Sequence, residues 1–206
     1  MVYWMRKATG CGEWEVSDMH WAKLMADGLT ALRIVLAVAI LALALFAGAE
    51  GLHLAAGLLL AAWISDVLDG PLARKSGQVG GWLGSKDLEI DILVGASALI
   101  YLAMAGFVSA WVALLHLGAW SVVFWRNGGV PRPYGVLFQA PIYLLFGITA
   151  LRLVPSVGRR MAAYAIAVPV VGAKEFWGQR VPGWWRGLRA RVEGILGAWQ
   201  EGHADE

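Results

Sequence analysis

Residues 65–91 read SDVLDGPLARKSGQVGGWLGSKDLEID and hold five of the chain's fifteen acidic residues, flanked on both sides by apolar sequence. Four of the five are spaced for joint work. Asp66 and Asp69 are three apart and Asp87 and Asp91 four apart, so in helices each pair shares one face. Carboxylates brought together beside a membrane repel unless a cation sits among them. Ligands offering only oxygen, with no Cys or His nearby, favour a hard divalent ion such as Mg²⁺, Mn²⁺ or Ca²⁺. Two such ions could share the four groups.

The loop between the pairs adds phosphate chemistry. Gly70 directly follows Asp69 and lets a ligand or another backbone come close. Pro71 restricts the turn, and Arg74 and Lys75 place cations beside the acids. Gly77, Gly80, Gly81 and Gly84 make the loop compact. Metal-bound carboxylates beside an arginine and a glycine-rich turn suit a phosphate ester, whose developing charge the metals would neutralise.

These groups must be positioned by membrane-embedded elements. The 206-residue chain is 59% hydrophobic and only 16% charged, against about one half and one quarter in soluble domains. Apolar runs near the bilayer-spanning length of about 20 residues predict six helices, at roughly 29–48, 51–69, 88–106, 108–125, 134–153 and 158–177. The third and fourth are joined by a very short turn. The expected fold is an all-α integral membrane protein with six transmembrane helices and interfacial segments at both ends. Its parts are an N-terminal juxtamembrane segment (1–28), a catalytic bundle (29–178) and a basic amphipathic tail (179–206). In that tail Trp185, Leu188, Val192, Ile195 and Trp199 recur at helical spacing, with Arg186, Arg189 and Arg191 between them. The first run starts too late and is too long for a cleaved signal, so it reads as a retained span.

Six spans put both termini on one side. That side and the 70–87 loop carry thirteen Lys and Arg, against Arg152, Arg159 and Arg160 opposite, so the acidic loop is expected to be cytoplasmic. Net charge is only +2, which gives no reason to expect nucleic acid as a partner. Cys11 is the only cysteine, so an intrachain disulfide is excluded. The four histidines are scattered, which argues against a His-containing di-iron centre.

The 66–91 stretch resembles the CDP-alcohol phosphotransferases, whose motif is D-x-x-D-G-x-x-A-R-x8-G-x3-D-x3-D. Asp66, Asp69, Gly70, Ala73, Arg74, Asp87 and Asp91 match in type and spacing. Leu83 stands at the remaining glycine position, with Gly84 one residue late. Upstream, DGLTALR places Asp27, Thr30 and Arg33 where phosphatidylglycerophosphate synthases of this family open their first span with N-L-x-T-x-x-R. The resemblance implies two Mg²⁺ or Mn²⁺ ions on Asp66, Asp69 and Asp87, with Asp91 as general base and touching the second metal. Gly70, Ala73 and Arg74 would line the CDP site, with Thr30 and Arg33 contributing from the first span. The implied donor is CDP-diacylglycerol, and the acceptor a small alcohol or phosphorylated alcohol such as glycerol 3-phosphate. CMP would leave, and the protein would act as a homodimer in the bilayer.

Plainer readings stand beside these. Any one Asp could be a solvated helix end or a partner of Arg74 or Lys86. Arg33 could snorkel to the interface, and Thr30 could cap the span. Arg126, Arg132 and Arg152 could bind an acceptor phosphate, or, for the first two, simply mark the cytoplasmic side. Glu89, on another helix face, could pair with a cation, bind substrate or face a partner. Two other functions compete: transfer of a soluble CDP-alcohol's head group to a lipid, and ion-coupled transport. The latter leaves the Gly70–Ala73–Arg74 pattern unexplained.

Overall fold

The computed structural model describes residues 13–75, 86–171 and Arg189. Among them every regular element is helical: α1 (Glu13–Phe46), a 3₁₀ turn (Gly48–Gly51), α2 (Leu52–Lys75), α3 (Asp87–Met104), α4 (Ala110–Arg126), α5 (Arg132–Leu153) and α6 (Pro155–Val171). Each of the six apolar runs is therefore helical over its described residues, which for the last run end at Val171. The tail from 179 lies outside the described residues, Arg189 excepted. Residues 13–28 are not a separate element but the start of α1. At 1.5 Å per residue that helix is about 50 Å long, well beyond a bilayer core.

Among the described residues, three stretches are long and apolar enough to cross a membrane: Asp27–Phe46, Gly48–Leu68 and Pro133–Leu153. α3 carries Asp87, Glu89 and Asp91 at its start, and α4 and α6 have 17 residues each. The chain is thus a membrane protein whose described elements are all helical, three of them suited to spanning on length and composition alone.

The chain divides into two units, Met1–Leu117 and Gly118–Glu206. In the first, α1 packs against both α2 and α3, which touch one another much less. One face of α1 supplies Thr30, Arg33, Leu36, Ala37, Ile40 and Ala44, all buried, at spacings of three or four with one adjacent pair. α2 answers with Leu52, Ala55, Ala56, Leu59, Ala62 and Ser65, and α3 with Ile90, Val94, Ala98, Leu99, Tyr101 and Leu102. The many alanines let helix backbones approach closely, which drives packing where lipid removes the hydrophobic incentive. The opposite face of α1 exposes Val35, Val38, Leu45 and Phe46, as a lipid-facing surface should.

The α1–α2 corner depends on glycine. Gly48 has φ +52, in the left-handed region. A Cβ on Gly51 would stand 2.9 Å from the Ala47 Cβ. The Tyr101 hydroxyl donates a 2.8 Å hydrogen bond to the Gly48 carbonyl and ties α3 to this corner. The short α3–α4 turn opens on a Schellman cap. There Gly106 (φ +79) donates to Ala103, and Phe107 to Leu102.

In the second unit α5 and α6 are joined through Val154 alone. Their approach is so close that a Cβ on Gly158 would lie 2.5 Å from the Leu151 backbone nitrogen. Trp120, Phe124, Tyr134 and Phe138 pack ring against ring, with the Trp120–Phe138 and Phe124–Phe138 pairs edge to face at 6.2 and 5.9 Å.

Candidate active site

The site forms where the first unit's three helices carry their polar residues. Asp66 lies near the end of α2, and Asp87 and Asp91 open α3 one turn apart. Carboxylate oxygens of the three lie within 4.8 Å of one another. Asp66 and Asp87 side chains are 46% and 41% exposed, and Asp91 only 22%, so one side of the cluster stays open.

Arg33 of α1 stands among them. Its Nη1 donates to Asp66 Oδ1 at 3.0 Å and to Asp91 Oδ1, and its Nη2 to Asp87 Oδ1. Nη2 also reaches the Thr30 Oγ1 at 3.4 Å, one turn back on the same face. The arginine side chain is 1% exposed. A lone guanidinium at that depth would be costly, and here three carboxylates offset it. Because α2 and α3 touch so little, Arg33 is also an electrostatic bridge between them. The planar fork suits this, offering several donors to carboxylates on two helices at once.

Of the four expected aspartates, the structure unites three. Asp69 lies in α2 one turn beyond Asp66, but its side chain is outside the described residues, as are those of Gly70, Ala73 and Arg74. The 76–85 loop with Leu83 is outside them too. Two alternatives from the sequence are corrected. Arg33 does not snorkel to an interface: it turns inward and is fully enclosed. Thr30 caps nothing, since it lies seventeen residues into α1, is buried and accepts a hydrogen bond from Arg33.

Glu89 stays out of the cluster and accepts a 3.0 Å bond from the Lys86 ammonium, an exposed i,i+3 pair. Arg126 and Arg152 are exposed in the second unit, and the Arg132 side chain is outside the described residues. What sequence reasoning underweighted was the centrality of Arg33. The signal was present: it is the only charge between Asp27 and Glu50.

The donor set fits a hard divalent cation. Three carboxylates converge from two helices, with no Cys, His or Lys in the group, and they already gather round one positive charge.

The family model for CDP-alcohol phosphatidyltransferase matches residues 23–172, a range that contains all of α2 to α6 and every residue of the cluster. No curated protein and no solved structure matches the chain.

Proposed function

From the premise that the chain belongs to the CDP-alcohol phosphatidyltransferase family, we propose that it transfers the phosphatidyl group of CDP-diacylglycerol to the hydroxyl of a small alcohol, with release of CMP. Members of this family are enzymes that transfer substituted phosphate groups from a CDP-alcohol to an acceptor, and they use divalent metal ions. The observation that carries the reading is the convergence of Asp66, Asp87 and Asp91 within 4.8 Å, at the positions the family motif assigns to metal ligands and base.

The roles are assigned by motif position. Asp66, Asp69 and Asp87 would hold two Mg²⁺ or Mn²⁺ ions, which would neutralise charge on the pyrophosphate. Asp91 is the most enclosed of the three described carboxylates and takes the proton from the acceptor hydroxyl. A free aspartate, with a pKa near 3.9, is a weak base toward an alcohol. It therefore collects the proton as the new oxygen–phosphorus bond forms at the β-phosphorus, not before. The bond from that phosphorus to the CMP oxygen breaks, and CMP leaves. Gly70, Ala73 and Arg74 line the CDP site. Thr30 fixes the arginine that holds the carboxylates.

Six spans, a homodimer and a cytoplasmic site on a bacterial inner membrane complete the proposal. Its support is the Lys and Arg asymmetry for orientation and family usage for the dimer.

The test is CMP release by purified protein from CDP-diacylglycerol, with Mg²⁺ or Mn²⁺ and a panel of alcohols beginning with glycerol 3-phosphate. Activity that needs metal and is lost in Asp91→Asn supports the reading. No CMP from any acceptor, with ion-driven uptake in vesicles instead, sinks it. Labelling the lipid moiety of the donor separates phosphatidyl transfer from head-group transfer to a lipid.

A further inference from the structure

We propose that Arg33 is a built-in counter-cation that competes with the divalent ions for Asp66, Asp87 and Asp91, so that metal loading draws the carboxylates away from the guanidinium. This rests on the metal-dependent reading above.

The geometry supplies the argument. Arg33 reaches one carboxylate of α2 and two of α3, through the Oδ1 atom of each. Those carboxylates are the described chain's one group able to hold a metal ion. A divalent ion placed among them would sit within a few ångströms of the guanidinium nitrogens, and like charges at that distance repel strongly in a partly desolvated site. Arginine cannot relieve the conflict by losing its proton. It can only share or surrender its carboxylates. Coupling of this kind is reciprocal: whatever the metal costs the arginine's contacts, those contacts cost the metal's affinity.

The arrangement has a use. Without ions, three carboxylates on two helices that barely touch would repel and open the bundle. Arg33 keeps them gathered, from a helix that packs on both. The ions then bind to a cluster that is already assembled, at reduced affinity. A purely structural stitch makes the opposite prediction: its removal would splay the carboxylates and weaken metal binding.

The experiment measures Mn²⁺ binding to the purified full chain in detergent, by loss of the free-ion EPR signal, for wild type and Arg33→Gln. Competition predicts affinity about tenfold or more higher in Arg33→Gln. It also predicts a larger rise in melting temperature on adding Mn²⁺ to the variant than to wild type. Equal or weaker Mn²⁺ binding in Arg33→Gln overturns the inference and leaves the enzyme reading intact. If Mn²⁺ binds to neither protein, the metal site itself is refuted, and the inference with it. Should Arg33→Gln not fold, Arg33→Lys decides. Lysine is a point charge where arginine is a fork, so competition predicts Mn²⁺ binding tighter by about threefold. Unchanged or weaker binding in that variant overturns the inference.

Discussion

The two ends of the α1–α2–α3 unit are held by different physics. At one end Gly48, Gly51 and Tyr101 make a tight corner from a left-handed glycine, a close backbone approach and one neutral hydrogen bond. At the other, Arg33 ties three carboxylates together across helices that touch little. The corner is sealed by shape. The charged end is held by electrostatics, and its aspartates remain partly exposed. Shape has one solution, whereas ionic partners can be exchanged for others of the same sign. The exchangeable end is the one suited to binding metal and phosphate.

Mutations at each end should therefore separate stability from chemistry. The largest effect belongs to Asp91→Asn, which removes the proposed base. CMP release should fall about 10²–10⁴-fold while the protein still elutes as folded material. A variant within threefold of wild type would remove Asp91 from the chemistry. Next comes Gly48→Ala at the corner. Forcing a Cβ into the left-handed region should cost about 1–2 kcal/mol, read as a lower melting temperature with Mn²⁺ affinity unchanged. A change in Mn²⁺ affinity there would mean that the two ends are coupled.

Tyr101→Phe probes the same corner more gently. Losing the bond to Gly48 should cost about 0.5–1.5 kcal/mol, with activity per folded molecule retained. Thr30→Val should be the mildest. Its contact with Arg33 is long at 3.4 Å, so a change in kcat/KM of no more than about threefold is expected, equivalent to a weak net hydrogen bond. A larger loss would move Thr30 from supporting the arginine to contacting substrate.

Much of this was legible in residue order. Apolar runs announced the helices because a bilayer imposes a length, and each of the six runs is helical over its described residues. The i,i+4 spacing of Asp87 and Asp91 put both on one face of α3 before any packing was known. The 66–91 pattern named the chemistry, and the family match agrees. Element ends were harder to read. Nothing in residues 13–28 marks a break, and α1 runs through them because no proline or glycine stops the helix until Gly28, which it tolerates.

Residue order carried the reaction class through the family motif at 66–91, and composition carried the helical, membrane-embedded frame. The role of Arg33 came from packing alone. Its place in the chain lies 33 residues from Asp66 and 58 from Asp91, and one charge in an apolar span reads equally well as an interfacial anchor or a buried partner. Packing α1 against both α2 and α3 resolved that choice. A guanidinium 1% exposed requires carboxylates around it, and the fold brings three of them there.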